Sequence, residues 1–203
     1  MKRNYQKELD VLLEELRGKG EVPSLLLHSC CAPCSSYGLE YLSEYFNINV
    51  FYYNPNISSE EEYNLRLSEQ KRLVEMMDTK YPVTVTEGEY EPEVFYAMAK
   101  GLEKCPERGE RCLRCYALRL ERTAALAKEI GADYFATTLT LSPLKSAEAI
   151  NTIGEELEKK YGVKYLCTDF KKKNGYKRSI ELSREYDLYR QNFCGCVFSK
   201  KNT

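Results

Sequence analysis

Nine cysteines occur in 203 residues, and seven of them stand in three short groups: Cys30, Cys31 and Cys34; Cys112 and Cys115; Cys194 and Cys196. Grouped thiols in a chain of this size point to metal or redox chemistry rather than to a disulfide scaffold. In Cys112-x-x-Cys115, as in Cys31-x-x-Cys34, two residues separate the sulfurs, so one turn of chain presents both to the same metal or cluster. That spacing fits structural zinc, an iron–sulfur cluster or a redox dithiol. The count goes further: a closed zinc site or a cubane takes four thiolates, so seven leave a surplus for a second metal, a redox-active pair, or both. Cys194-Gly195-Cys196 suits a pair, since the glycine lets two nearby sulfurs point together, and a strained loop would make a disulfide there easily reduced. Cys105, in a polar connection, and Cys167, closing an apolar strand, read as ordinary thiols.

The elements that must carry these groups can be read from periodicity. Leu25-Leu26-Leu27-His28 is an apolar run of the length of a buried parallel strand, and Pro33, Ser35 and Ser36 lead into an amphipathic helix over Tyr37 to Phe46. The first thiol group therefore falls at a strand's carboxyl end, where open α/β sheets bind ligands. A cap helix over Asn4 to Arg17 precedes it. Further strands are expected at 48–53, 83–86, 134–139 and 165–167. Helices are expected from Ser58 or Ser59 to Met77, 91–101, 112–130, 142–160 and 179–190. The alternation predicts an α/β three-layer sandwich with a mainly parallel sheet. It forms a single domain over 1–203, with the N-terminal cap helix and a cysteine-bearing C-terminal tail.

Composition narrows the partners. Lysine plus arginine (30) balance aspartate plus glutamate (31), so any contact with nucleic acid must come from a local patch. Lys171-Lys172-Lys173-Asn174-Gly175-Tyr176-Lys177-Arg178 is one such patch, a basic loop with an aromatic in it, as phosphate contact would require; a merely solvated loop has the same composition. Arg108 and Arg111 beside the central cysteines suit either phosphate or pairing with Glu107 and Glu110. The seventeen tyrosines are read mainly as core, and His28, the only histidine, as a satisfied core residue. No stretch approaches the roughly 20 apolar residues of a membrane span and no signal-peptide pattern opens the chain, so a soluble, cytoplasmic protein is expected.

Several motifs in one order resemble those of the QueH-type epoxyqueuosine reductases. They are His28-Ser29-Cys30-Cys31-Ala32-Pro33-Cys34, Tyr53-Asn54-Pro55-Asn56-Ile57 with Glu62-Tyr63 and Arg66, Glu107-Arg108-Gly109-Glu110-Arg111-Cys112-x-x-Cys115, Thr137-Thr138-Leu139 with Ser142-Pro143, and Leu188-Tyr189-Arg190-Gln191-Asn192-Phe193-Cys194-Gly195-Cys196. The resemblance implies a fold like the PP-loop nucleotide-binding superfamily, lacking its glycine-rich pyrophosphate loop. The implied activity is two-electron deoxygenation of the epoxide of epoxyqueuosine at the wobble position of tRNA, with an external electron donor. It also implies that Cys30, Cys31, Cys112 and Cys115 hold a [4Fe–4S] cluster. Cys34, Cys194 and Cys196 are then left as the catalytic set, either with Cys194 and Cys196 as a redox pair or with all three on a second, mononuclear iron. Tyr53, Asn54, Asn56, Arg66, Arg108, Arg111 and Arg190 fall to substrate binding. Two other functions stay open: a zinc-stabilised RNA-binding module, and a PP-loop-type tRNA thiolase, which the missing pyrophosphate loop argues against.

Overall fold

The computed structural model describes residues 3–199. Five parallel strands, β1 (Ser24–His28), β2 (Asn47–Tyr52), β3 (Val83–Glu87), β4 (Tyr134–Thr137) and β5 (Lys164–Tyr165), form one sheet in the order β3-β2-β1-β4-β5. Pairing is in register, with Leu26 opposite both Asn49 and Phe135. Seven α-helices accompany the sheet among the described residues: α1 (Tyr5–Lys19), α2 (Ala32–Leu42), α3 (Glu60–Met76), α4 (Pro92–Ala99), α5 (Glu110–Glu129), α6 (Ala147–Tyr161) and α7 (Gly175–Glu185). No helix among the described residues is long and apolar enough to cross a membrane.

The continuous apolar run of β1 follows from burial on both sides. Leu25 and Leu27 join a core with α1, α2 and α7 residues such as Leu13, Leu39 and Leu182, while Leu26 faces Leu120, Ala124 and Ile150 of α5 and α6. The expected three layers result, with helices on both faces of a parallel sheet. The chain leaves β1 toward β2 and β3 on one side and resumes at β4 on the other. The carboxyl ends of β1 and β4 thus flank a topological switch point, where such sheets open a crevice.

Some boundaries differ from the sequence reading. α2 begins at Ala32 rather than Tyr37, because Pro33 sits in its first turn and the Cys34 amide already bonds the Cys31 carbonyl at 3.1 Å. The strand expected to run to Leu139 ends at Thr137. Its continuation, Thr138–Leu141, is a 3-10 turn, and Thr137 Oγ1 accepts from the Leu139 amide at 3.2 Å. The helix expected from Ser142 starts at Ala147, capped by Ser146, whose Oγ accepts from the Ala149 amide at 3.2 Å; residues 142–146 are left as a turn over the crevice. α7 spans Gly175–Glu185, so part of the expected basic loop is helix, and the segment after it is irregular as far as a 3-10 turn at Val197–Ser199.

Candidate active site

The crevice at the switch point collects the thiols. Cys30 and Cys31 follow β1, Cys34 lies in the first turn of α2, and Cys112 and Cys115 lie in the first turns of α5. The segment after α7 brings Cys194 and Cys196. The three sulfurs of the first group lie within 4.8 Å of one another, and Cys30 Sγ is 3.9 Å from both Cys31 Sγ and Thr138 Oγ1. A cavity of about 360 Å³ opens beside them, and Cys30, Cys34, Cys112, Cys115, Cys194 and Cys196 all line it. Cys31 is buried behind this wall, against Cys30. All nine cysteines are free thiols. Cys105 and Cys167 stay out of the cavity; burial, then the charge of Glu155, pushes the Cys167 thiol up to about 12.

The first group shares its protons unequally. Hydrogen bonds from Cys31 and Cys34 hold Cys30 well below the usual thiol range, and Lys145 and Arg119 add positive charge nearby. Bonding to Cys30 in turn raises Cys31 to about 12 and Cys34 well above the ordinary value. Burial raises Cys115 to about 11. Helices α2 and α5 both begin at this site without a side-chain cap, and the Arg108 amide points at Cys112 Sγ from 3.3 Å, so their amino-terminal dipoles also favour thiolate.

Two cations that the sequence reading passed over, the buried Arg119 and the half-buried Lys145, stand beside these thiols. Arg119 is 1 % exposed; its Nη1 donates to Asn54 Oδ1 and its Nε to the Cys115 carbonyl, both at 3.3 Å, and Nη2 has no hydrogen-bond partner among the described residues. Burial works against its charge, yet the thiols Cys115, Cys194 and Cys30 hold its pKa above the usual guanidinium value. Lys145, on the turn after β4, lines the cavity and is kept charged in the same way: burial lowers its pKa and Cys194, Cys30 and Cys34 more than restore it. Arg119 was discoverable from spacing, because Cys112, Cys115 and Arg119 fall on one face of a helix at i, i+3 and i+7.

The expected substrate contacts divide into supports and free groups. Tyr53 and Asn54 do not line the cavity. The Tyr53 hydroxyl donates to Glu91 at 3.2 Å, and Asn54 Nδ2 donates to the Ser29 carbonyl at 2.9 Å, fixing the loop that carries Cys30. His28 is buried behind them with both ring nitrogens engaged, Nε2 donating to the Tyr53 carbonyl at 3.1 Å and Nδ1 accepting from Thr137 at 2.9 Å. Desolvation holds its pKa down to about 3, so it is neutral.

Arg66, 2 % exposed, is paired with Glu62 at 2.6 Å and donates to the carbonyls of Cys194 and Phe193 at 3.4 and 3.5 Å. Asn56 Nδ2 donates to the same Cys194 carbonyl at 3.3 Å, and the Ser58 amide to the Gly195 carbonyl at 3.0 Å. These residues seat the loop that carries Cys194 and Cys196. Arg111 Nη1 is spent on the carbonyls of Leu102, Glu103 and Cys105 at 2.7–3.0 Å. Arg108 and Arg190 remain exposed on the cavity wall, Arg190 donating to Ser183 Oγ at 2.9 Å. The basic segment is largely ion-paired: Lys171 with Asp169, Lys173 with Asp10, Arg178 with Glu40 and Lys177 with Glu181.

A sequence profile described as epoxyqueuosine reductase QueH matches residues 25–202. The chain belongs to the QueH family. It is 46 % identical over 202 residues to an epoxyqueuosine reductase QueH of Staphylococcus epidermidis, covering 98 % of this chain and 85 % of that one. A Streptococcus pyogenes QueH is 43 % identical, covering 98 % and 79 %, and a Thermotoga maritima QueH is 38 % identical, covering 87 % and 90 %. The QueH match contains all seven grouped cysteines and every strand of the sheet, while α1 lies outside it.

Proposed function

We propose that this chain is an oxidoreductase that removes the epoxide oxygen of epoxyqueuosine in tRNA, giving queuosine. Membership of the QueH family, together with six thiols on the wall of one cavity, carries the reading. The conversion turns an epoxide into an alkene and water, consuming two electrons and two protons.

The donor set fits an iron–sulfur group. The ligands on offer are thiols alone, buried or half-buried, the Cys30 thiol is held well below its usual range by its bonds to Cys31 and Cys34, and Arg119 and Lys145 would offset the charge of thiolates. Cys30, Cys31, Cys112 and Cys115 would hold a [4Fe–4S] cluster, which when bound supplies electrons singly. Cys194 and Cys196 meet the two-electron demand. Oxidation of their thiols to a disulfide releases two electrons and two protons, the epoxide oxygen departs as water, and an external electron donor reduces the disulfide again. Cys34, beside Cys30 and Cys31, would make the third ligand of a second, mononuclear iron if Cys194 and Cys196 ligate metal instead.

The remaining residues position and shield. Arg66, Asn56 and the Ser58 amide hold the Cys194–Cys196 loop against the crevice. Arg108 and Arg190 face the substrate, and the apolar wall from Phe95, Leu141 and Pro143 keeps water from the reacting carbon atoms. Grouped free thiols and a tRNA substrate support a cytoplasmic protein.

Anaerobically purified protein tests the reading. Visible absorbance with stoichiometric iron and sulfide, and conversion of epoxyqueuosine tRNA, are expected; colourless zinc-loaded protein without activity would instead indicate an RNA-binding module. Alanine at Cys30, Cys31, Cys112 or Cys115 should lose the cluster. The Cys194→Ser, Cys196→Ser double variant should keep four irons and lose reduction, and normal turnover by it would show that the seven thiols have been divided wrongly.

A further inference from the structure

The cavity wall carries two side chains whose polar ends have no hydrogen-bonded or ion-paired partner among the described residues. Tyr176, in the first turn of α7, lines the cavity and is 40 % exposed, and its ring and hydroxyl have no hydrogen bond or ring contact among the described residues. Lys145 lines the same cavity from the opposite element, the turn before α6. Its ammonium has no carboxylate or carbonyl partner among the described residues, and the charges that face it are those of the thiols. Leu144 beside it is 49 % exposed. By contrast, the cations that flank Tyr176 in sequence are held by acidic groups of α1, α2, α7 and the loop before it, so they are poorly placed to neutralise an outside anion.

The size of the cavity limits what enters. At about 360 Å³ it is at the small end of ligand sites, enough for one modified base and too small for a stacked pair. A base inside a nucleic-acid loop must therefore leave its neighbours to reach the thiols, and the neighbour left behind loses a stacking surface. Exposed aromatics replace that surface in single-strand recognition, and an unpaired ammonium takes the adjacent phosphate.

Building on the reductase reading, we propose that Tyr176 and Lys145 form an RNA-reading pair at the cavity mouth. Tyr176 stacks on the base next to the modified nucleotide, and Lys145 takes the phosphate joining the two. Only the modified base then passes into the cavity. The ligand class is single-stranded RNA in a splayed loop, and the basic segment 171–178 is not its main contact.

The test compares the holoenzyme's affinity and KM for an anticodon stem-loop RNA bearing epoxyqueuosine with its KM for the free epoxyqueuosine nucleoside. Tyr176→Ala is expected to weaken RNA binding roughly tenfold to a hundredfold, the range for losing one base–aromatic stack, with Tyr176→Phe restoring it. The KM for the nucleoside, which has no neighbouring base, should move less than twofold in Tyr176→Ala. Lys145→Gln should reduce the dependence of log affinity on log salt by about 0.7, the value for one single-strand phosphate. A Lys171→Gln, Lys173→Gln double variant should lose less than either. Unaltered RNA affinity in Tyr176→Ala and Lys145→Gln, or an equal loss with nucleoside and RNA, overturns the proposal. A wild-type enzyme that reduces neither substrate overturns the reductase reading itself, a result the variants cannot mimic.

Discussion

Gly195 separates the two thiols of the C-terminal loop at a φ of +106°, and replacing it with alanine tests whether that loop must stay seated for catalysis. A positive φ costs an L-residue about 1–2 kcal/mol. The new Cβ would stand 2.9 Å from Ile57 Cγ1 and 3.2 Å from Arg66 Nη1. Ile57 is packed with Tyr52, Tyr63 and Leu67 and cannot withdraw, so overpacking adds about 1–3 kcal/mol. Four hydrogen bonds oppose release of the loop: Ser58 N–H to Gly195 at 3.0 Å, Asn56 to Cys194 at 3.3 Å, and Arg66 to Cys194 and Phe193 at 3.4 and 3.5 Å. Their length puts them toward the weak end of about 0.5–1.5 kcal/mol each, so together they contribute about 2–4 kcal/mol. Strain and restraint are therefore similar in size, and a large share of Gly195→Ala molecules should hold the loop away from the crevice. Hydrogen exchange at the Ser58 amide reads this directly, since its acceptor is the Gly195 carbonyl. Protection there should fall and epoxide reduction should drop about tenfold or more, while Tm shifts little because the sheet core is untouched. Gly18→Ala, in α1 with nothing within 4 Å of the new Cβ, is the control and should stabilise by about 0.5–1 kcal/mol. Full Ser58 protection with wild-type turnover in Gly195→Ala would refute the reasoning.

Removing Arg66 as Arg66→Met leaves Glu62, 16 % exposed, without its partner and should cost about 2 kcal/mol in denaturant unfolding, below the 3–5 of a fully buried pair; adding Glu62→Gln should recover part of it. His28 sets an acid limit. It is neutral in the fold with a pKa near 3, whereas the unfolded chain takes up a proton below 6.5, so its effect is absent above 6.5 and costs up to about 1.4 kcal/mol per pH unit as pH falls toward 3. A His28→Gln variant should show a shallower loss of stability between pH 6.5 and 4.5, and an identical slope would mean that the ring protonates in place. Gly154→Ala puts a Cβ 2.3 Å from the Tyr165 ring, which packs against Phe135, and should lower Tm by roughly 5–10 °C for about 2–3 kcal/mol.

Local sequence reveals what local physics decides. The β1 run was legible because burial on both faces leaves no polar position, and α3 because Ser59 and three glutamates mark its start. The start of α6 lies five residues beyond the expected one because Ser142 and Ser146 are both credible caps, and the 3-10 turn after Thr137 intervenes. Likewise, spacing finds the thiol groups and sets Arg119 on the helix face of Cys112 and Cys115, yet it does not show that Arg66 and Arg111 are spent on backbone carbonyls. The sequence reading gives Arg66 and Arg111 to substrate, and here all three guanidinium groups are at most 3 % exposed: Arg66 donates to the C-terminal loop, Arg119 to Asn54, and Arg111 to the connection just before its own helix. The two readings of the basic segment, phosphate contact and solvated loop, could not be separated locally, because Asp10 and Glu40, which pair with Lys173 and Arg178, are more than 130 residues away.

The loop seated by Arg66 also sets an order of events during synthesis. Cys30, Cys31 and Cys34 leave the ribosome about 160 residues before Cys194, which at roughly 5–20 residues per second is some 8–32 seconds. For that interval the nascent chain carries its first thiol group without the segment that walls it in the finished protein. Oxidants and free metal ions have their best access then, and the last segment to be made is the one that ends it.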